Sequence, residues 1–106
     1  MEKLKLGMIG GGDGSFIGAI HRNAAYLDNC YELVCGSFSR DFNNSLETGK
    51  KLFLNPKRIY KSYEDMIDQE SKLDSSIRMD VVSIVTPNHV HFDPAFKALN
   101  KGFPVI

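Results

Sequence analysis

The sequence predicts an α/β fold in which a doubly wound parallel sheet is covered by helices on both faces, giving three layers. Two observations carry this prediction. Short apolar runs alternate with helix-like stretches along the whole chain, and such alternation with short connections implies right-handed crossovers. Val81–Val85 is an apolar, β-branched run, which is typical of a central parallel strand buried on both faces.

We expect five strands and four helices in alternation. The predicted strands are Leu4–Ile9, Tyr31–Phe38, Ile59–Tyr60, Val81–Val85 and one that begins at Val105–Ile106. The predicted helices are Phe16–Leu27, Asn44–Phe53, a short one over Tyr63–Ile67 and one that opens at Asp93-Pro94. In a sheet of this kind ligands bind beyond the carboxyl ends of the strands, so the loops Gly10–Gly14, Ser37–Asp41 and Thr86–His91 are expected at one site.

Helix ends are marked by capping residues. Ser62 is the predicted N-cap of the short helix, and acidic residues follow it in the first turn, where the helix dipole favours them. Asp93 is the predicted N-cap of the last helix, with Pro94 in its first position and Gly102 as its left-handed C-cap. The expected buried face of this helix consists of Ala95, Phe96, Ala98 and Leu99.

The composition of the chain argues against several classes of function. The chain has 106 residues, enough for one hydrophobic core, and its 13 basic and 13 acidic side chains leave no basic excess for nucleic acid or an acidic membrane. No apolar run is long enough to span a bilayer. Secretion is not expected, because Met1–Lys5 opens no apolar stretch of the length that a signal peptide needs. Cys30 and Cys35 form neither a disulfide framework nor a zinc site. A buried Cys35 and a reducing cytoplasmic location are therefore expected.

The glycine loop is the first candidate binding element. Four glycines lie within Gly10–Gly14, directly between the first strand and the first helix. Glycine lets a phosphate approach bare backbone amides, and the following helix N-terminus favours an anion. The spacing departs from the strict dinucleotide fingerprint, because Ser15 stands where glycine or alanine is required and Gly18 follows three residues later. A glycine-rich turn without a ligand is the alternative.

The end of the second strand bears on the choice of cofactor. A free ribose hydroxyl favours an acidic residue here, but this chain offers Ser37, Ser39 and Arg40. Hydroxyls and a guanidinium suit a 2′-phosphate, so NADP is favoured slightly over NAD. The alternative is that Arg40 is a solvated surface residue and Asp41 only caps the next helix.

The loop after the fourth strand is the third candidate element. Pro87 stops the strand, and Asn88 and His91 then project towards the cleft. His89 and His91 lack further ligands at metal-binding spacing, so no metal is expected. One role considered for His91 is that of an acid–base group, and the alternative is a histidine that caps or bonds a loop carbonyl. His21, on the first helix, is expected to be a packing or hydrogen-bonding residue.

Taken together, these motifs resemble the Gfo/Idh/MocA family, the glucose–fructose oxidoreductase and inositol dehydrogenase group. The resemblance covers essentially the whole chain, and its most specific part runs from Asp80 through Thr86-Pro87-Asn88 to His91. It implies a Rossmann-like fold in which Thr86, Pro87, Asn88 and His91 lie near the nicotinamide ribose. It also implies that Gly10, Gly12 and Gly14 hold the pyrophosphate. The other residues of this loop that are expected to bind the cofactor are Asp13, Ser15, Phe16 and Ile17.

The reaction implied by the resemblance is hydride transfer between a nicotinamide and a hydroxyl-bearing carbon of a sugar, a cyclitol or a related compound. The family's proton-transfer lysine and its substrate domain would lie beyond Ile106. We therefore expect residues 1–106 to be an incomplete NAD(P)-binding domain, cut near its fifth strand, with no catalytic residue and no activity alone. We also expect it to self-associate through exposed side chains of Val81–Val85 and Val105-Ile106.

Two alternatives stay open at this point. The chain could be a stand-alone dinucleotide-binding or regulatory module without enzymatic activity, or an interaction protein whose glycine loop is vestigial.

Overall fold

The computed structural model describes residues 3–11, 31–85 and 92–106 of the chain. Within these ranges the strands are β1 (Leu4–Gly10), β2 (Tyr31–Ser37) and β3 (Val81–Val85). The helices are α1 (Phe42–Lys51), α2 (Tyr63–Ser71) and α3 (Phe92–Asn100), with a 3₁₀ helix over Pro56–Arg58. The predicted helix Phe16–Leu27 lies outside the described residues.

The three strands form one parallel sheet in the order β2-β1-β3. The other two predicted strands are present as single parallel bridges, Ile59 with Gly36 of β2 and Val105 with Val82 of β3. Hydrogen bonds of 2.8 Å from Tyr60 N to Gly36 O and 2.9 Å from Val82 N to Pro104 O hold them. The described residues therefore run Ile59, β2, β1, β3, Val105 across the sheet, which confirms the predicted doubly wound parallel arrangement.

Apolar side chains pack on both faces of the sheet. One cluster contains Ile9, Cys35, Val82 and Ile84 together with residues of α2 and α3. The opposite cluster contains Leu6, Met8, Leu33 and Val81, with Leu46 of α1 packed against it. The pairing of β1 with β2 shifts by one residue between Leu6 and Gly7, so Leu33 and Cys35 lie in opposite clusters although they are two residues apart.

α1 and α2 begin at side-chain caps. The Asp41 carboxylate accepts a 3.0 Å hydrogen bond from Asn43 N, so α1 spans Phe42–Lys51 rather than the predicted Asn44–Phe53. Ser62 Oγ accepts from Asp65 N at 3.1 Å, which confirms the predicted cap of α2. Such caps satisfy backbone N–H groups that have no partner within the helix.

α3 differs from its prediction in its start and its buried face. It begins at Phe92, so Asp93 lies inside the first turn rather than at the N-cap. Pro94 and Ala98 are buried and Ala95 is half-buried, whereas Phe96 and Leu99 are 52% and 59% exposed. The prediction that Phe96 and Leu99 are buried is therefore wrong, because the stripe that faces the sheet runs through positions 94, 95 and 98. The predicted Gly102 turn is confirmed by its φ of 87°.

The side chains of β3 are covered rather than exposed. Residues 81–84 are buried and Val85 is half-buried. Helices α2 and α3 and Phe103 cover the face of Val82 and Ile84. The predicted exposure of Val81–Val85 is therefore wrong, and Ile106, 54% exposed, is what remains of the expected apolar surface.

A buried carboxylate links α2 to the segment that enters β3. Glu70 is 0% exposed, and its two oxygens accept hydrogen bonds from the Arg58 guanidinium, the Tyr60 hydroxyl and the Met79 amide, at 2.6–3.1 Å. Burial raises the pKa of Glu70, but these hydrogen bonds outweigh it and hold the pKa below its ordinary value. The Tyr60 pKa is raised, first by burial and then by the hydrogen bond to Glu70.

Candidate functional site

The carboxyl ends of the three strands meet at one edge of the sheet. Ile9 pairs with Ser37 of β2, and Gly10 pairs with Val85 of β3. The central strand β1 therefore ends between its two neighbours, at the point where the chain order reverses across the sheet. Ligands of open α/β sheets bind in the crevice at such a switch point, so this edge is the candidate site.

The end of β1 has a backbone conformation that favours glycine. Gly10 has a φ of 84° and Gly11 a φ of 75°. Residues other than glycine rarely adopt such values. Two bare backbone units thus stand at the carboxyl end of the central strand, where an anion could approach closely. The remaining predicted members of this loop, Gly12, Asp13, Gly14, Ser15, Phe16 and Ile17, lie outside the described residues.

The residues after β2 form a tight turn. Ser37 is buried, and Ser39 is held by its backbone: its N–H donates to Ser45 Oγ at 2.9 Å, and its carbonyl accepts from the same hydroxyl at 3.1 Å. Ser39 Oγ itself accepts from Asp41 N at 3.1 Å. This turn leaves Arg40 exposed at the carboxyl edge, where its guanidinium is available to a ligand.

Both alternatives raised for this segment are compatible with the structure. Asp41 does cap α1, and Arg40 is exposed.

A polar cluster joins the first turns of α2 and α3. The Tyr63 hydroxyl donates a short hydrogen bond to Asp93 Oδ2, and Lys97 Nζ lies 3.1 Å from the same oxygen. Lys97 Nζ also lies 3.5 Å from Glu64 Oε2 and 5.6 Å from the centroid of the Tyr63 ring. One carboxylate oxygen thus receives donors from both helices.

The electrostatics of this cluster follow from its contacts. The hydrogen bond to Asp93 is the largest cause that raises the pKa of Tyr63 to about 12, whereas the positive charge of Arg40 acts in the lowering direction. The same hydrogen bond lowers the pKa of Asp93. The sequence analysis placed Tyr63 in the short predicted helix but assigned it no role at the site, because its partner Asp93 lies 30 residues further along the chain.

Several predicted site residues lie outside the described part of the chain. They are Thr86, Pro87, Asn88 and His91, and with them His21, His89 and Cys30. Among the described residues, no three His, Cys, Asp or Glu side chains are grouped to hold a metal ion. Cys35 is free and buried, as predicted, and burial raises the pKa of its thiol. No helix of the described residues is long and apolar enough to cross a membrane.

A groove of about 610 Å³ lies elsewhere, at the sheet edge formed by Ile59. Phe42, Lys57, Lys61 and Ile77 are among the residues that line it. Neither Gly10, Ser37 nor Arg40 belongs to its lining, so this groove is separate from the candidate site.

Comparison with known proteins matches the chain to oxidoreductases. The sequence profile of the Gfo/Idh/MocA family, described as an oxidoreductase family with an NAD-binding Rossmann fold, matches residues 4–106. The chain is 36% identical over 106 residues to the uncharacterized oxidoreductase YfiI of Bacillus subtilis (strain 168), and the match covers 99% of this chain and 26% of that protein.

Two solved structures are similar in sequence and fold. A crystal structure of an oxidoreductase from Sinorhizobium meliloti matches with 42% identity and a TM-score of 0.91, over 99% of this chain and 28% of that one. An inositol dehydrogenase homolog from Azotobacter vinelandii, complexed with NADH and myo-inositol, matches with 36% identity and a TM-score of 0.93, over 98% of this chain and 27% of that one. The chain thus spans little more than a quarter of these relatives.

Proposed function

Because the chain belongs to the Gfo/Idh/MocA oxidoreductase family through its NAD-binding Rossmann fold, we propose that its carboxyl edge binds the nicotinamide dinucleotide of an oxidoreductase. The observation that carries this proposal is the pair Gly10 and Gly11, both at positive φ, at the end of the central strand. Bare backbone at a switch point suits the close approach of a pyrophosphate.

Each loop of the edge has a proposed role. Gly10, Gly12 and Gly14 would hold the pyrophosphate, and the cofactor would also contact Asp13, Ser15, Phe16 and Ile17 of the same loop. The Ser37–Arg40 turn would meet the adenosine ribose, and Thr86, Pro87, Asn88 and His91 would lie beside the nicotinamide ribose. The bound dinucleotide would supply the hydride acceptor or donor. The residues of this chain would bind and orient it.

The choice between NADP and NAD depends on the turn after β2. Arg40 is exposed there and no acidic side chain precedes it in the turn, which supports NADP, since a guanidinium makes charge-assisted contacts to a 2′-phosphate. The related inositol dehydrogenase homolog is described in complex with NADH, so NAD is the competing cofactor. NADP is our proposal for this chain.

Parallel fluorescence titrations with NADPH and NADH test this choice. We expect Arg40→Ala to weaken NADPH binding by roughly 10- to 100-fold, the equivalent of one lost charged hydrogen-bonding partner, and to leave NADH binding unchanged. Lys3→Ala removes one positive charge before the amino end of β1 and serves as the control. Equal losses for both cofactors, or equal losses in the control, would contradict a 2′-phosphate contact at Arg40.

The reaction is a further proposal. We infer hydride transfer between the nicotinamide and a hydroxyl-bearing carbon of a sugar, a cyclitol or a related compound. The relative described with NADH and myo-inositol supports this class. We also infer that the 106 residues do not turn over such substrates alone, because they correspond to 27% of that relative. An assay of NAD(P)⁺ reduction with myo-inositol is expected to give no activity, and measurable turnover would overturn that inference.

Self-association is proposed through a surface different from the one first expected. Phe92, Phe96 and Leu99 are exposed by 78%, 52% and 59% and recur at i, i+4 and i+7 along α3, the spacing of a helix-pairing stripe. A second copy of the chain is the proposed occupant. Sedimentation velocity is expected to show a dimer that Phe96→Asp dissociates, and a monomer at high concentration would contradict it. A cytoplasmic location likewise remains a proposal based on composition.

A further inference from the structure

We propose that the groove at the Ile59 edge of the sheet binds an extended acidic peptide segment of a partner protein. Within the part of the chain that the structure describes, Ile59 is the outermost position on its side of the sheet, since it pairs with Gly36 of β2 and with no strand beyond. The groove of about 610 Å³ lies at this edge. An unpaired sheet edge is a template for an added strand.

The main chain at this edge has free groups for such a strand. Tyr60 N donates to Gly36 O at 2.8 Å, and neighbouring residues of a strand direct their backbone groups to opposite sides. The Ile59 carbonyl and the Lys61 N–H therefore face away from β2, and neither has a hydrogen-bond partner among the described residues. A peptide that lies beside Ile59 supplies a donor to the first group and an acceptor to the second.

The charges that line the groove select a negatively charged ligand. Lys57 and Lys61 are exposed, and neither forms an ion pair with a residue that the structure describes. Arg58 also lines the groove, but its guanidinium is already paired with the buried Glu70. The acidic residue of the lining is Asp65. Two unpaired lysines thus face one carboxylate, and this surplus of positive charge favours acidic side chains on the ligand.

The apolar residues of the lining indicate the second property of the ligand. Phe42 and Ile77 are 39% and 49% exposed, and both line the groove together with the half-buried Leu73. Successive side chains of an extended segment point to opposite faces. A segment in which apolar and acidic residues alternate therefore covers the apolar side chains on one face and presents carboxylates to the lysines on the other.

The same charges argue against a second copy of this chain in the groove. Closed dimers pair identical surfaces about a twofold axis, so two Ile59 edges would bring Lys57 and Lys61 of each copy towards those of the other. Like charges across an interface are unfavourable. A partner of opposite charge avoids this conflict, and the self-association proposed above uses the exposed stripe of α3 instead.

Fluorescence anisotropy with a labelled heptapeptide of alternating glutamate and valine tests the proposal on the chain as it stands. We expect saturable binding that weakens as salt is raised, and no binding of the matching lysine–valine peptide. The double variant Lys57→Glu/Lys61→Glu should raise the Kd of the acidic peptide about tenfold, because two attractive charge pairs become repulsive, and should bind the basic peptide. Lys101→Glu is the matched control, since Lys101 is exposed and does not line the groove.

Two further measurements locate the bound peptide and keep the test independent of the variants. In ¹H–¹⁵N spectra of the unaltered chain, the acidic peptide should shift the Lys61 amide, whereas free glutamate at the same carboxylate concentration should not. Urea midpoints of all variants should equal that of the unaltered chain, because the exchanged lysines are exposed and unpaired within the described residues.

Four results would overturn the proposal. The first is no saturable binding of the acidic peptide, and the second is an equal loss in the double variant and in Lys101→Glu. The third is a Lys61 shift with free glutamate as large as with the peptide, which would assign the groove to small anions. The fourth is a dimer in sedimentation velocity that Lys57→Glu/Lys61→Glu alters and the acidic peptide dissociates, which would assign the groove to a second copy of the chain.

Discussion

Replacing Glu70 with glutamine should destabilise the chain strongly, because every acceptor position of this buried carboxylate is used. One oxygen accepts from Arg58 Nη2 at 2.6 Å and Met79 N at 2.9 Å. The other accepts from Arg58 Nε at 3.1 Å and Tyr60 Oη at 2.6 Å. In glutamine one oxygen becomes an amino group. On one side it would face two donors, Arg58 Nη2 and Met79 N; on the other it would face Arg58 Nε, while the Tyr60 hydroxyl could turn and accept. One or two hydrogen bonds would therefore be lost, together with the charge that pairs with Arg58.

The size of the loss follows from these contacts. Hydrogen bonds to a charged group contribute about 1.5–3 kcal/mol each, and breaking a buried ion pair by removing one partner typically destabilises by about 3–5 kcal/mol. One or two lost hydrogen bonds and the broken ion pair together place the loss for Glu70→Gln at about 2–5 kcal/mol, a large part of the roughly 5–15 kcal/mol expected for a domain. With a urea m-value of about 1–3 kcal/mol per molar, the midpoint should fall by roughly 2 M.

Urea unfolding followed by circular dichroism measures this effect. Asp68→Asn is the control, because it makes the same chemical change on the same helix in an exposed pair with Lys72. Its expected loss is below about 0.5 kcal/mol. A loss of less than about 1 kcal/mol for Glu70→Gln, or equal losses in the two variants, would refute the argument that the buried network holds α2 to the β3 entry.

The pH dependence gives an independent check on Glu70. Burial raises its pKa, but hydrogen bonds from Arg58, Tyr60 and Met79 outweigh burial, so the folded-state pKa lies below the ordinary value. Its stabilising contribution is therefore fully present above the unfolded-state pKa of about 4.3 and is lost as pH falls through the lower folded-state pKa. Unfolding free energy between about pH 6 and pH 3 should fall less steeply for Glu70→Gln than for the unaltered chain. Equal slopes would contradict this assignment.

Three further predictions concern single sites. Gly36→Ala should lower the unfolding free energy by about 1–3 kcal/mol, because the added Cβ would collide with the buried Phe38 ring. An unchanged urea midpoint would contradict this and would mean that the ring moves aside without cost. Cys35 is buried with a raised thiol pKa, so peptide mapping after iodoacetamide treatment should find it alkylated only under denaturing conditions, and rapid native labelling would contradict its burial. Ser62→Ala removes the acceptor of Asp65 N and should destabilise by about 1 kcal/mol in urea unfolding, whereas no change would mean the cap is dispensable.

The alternation of strand and helix patterns was sufficient to predict the parallel sheet, because buried strands and capped helices leave local signals. The strand Val81–Val85 and the cap at Ser62 are examples, because each can be recognised from a few consecutive residues of the sequence. The short apolar runs at Ile59 and Val105 correctly predicted two further positions in the sheet. Each position holds a single bridged pair and not a full strand, so the predicted strands there were too long.

The sequence pattern of β2 does not reveal that Leu33 and Cys35 lie on opposite faces of the sheet, because this depends on pairing with another strand. Simple alternation puts Leu33 and Cys35 on one face of a strand. The register shift beside Leu6 and Gly7 separates them, and a shift of that kind depends on the partner strand. The spread of apolar residues around α3 was equally ambiguous, since Phe96 and Leu99 have the composition of a buried face without a partner among the described residues to cover them.

The Glu70 network could have been suspected from its position on α2. Glu70 stands three and four residues after the buried Ile67 and Met66, on the apolar face of its helix, and a carboxylate there requires partners. Its partners Arg58 and Tyr60 come from the preceding segment, and only the folded chain brings them together. The candidate site was predictable in its location, because strand ends and glycines are local features, but the Tyr63–Asp93 link was not.

The most direct test of the central claim is to map NADH and NADPH binding on the amides of the chain by two-dimensional ¹H–¹⁵N NMR. The account predicts saturable shifts for Gly10, Gly11 and Arg40 at the carboxyl edge of the sheet. Lys5 and Asp80, which pair at the amino edge, should not shift. Shifts centred on the amino edge, or no shifts in a spectrum that shows a folded chain, would contradict a dinucleotide site at the ends of these strands.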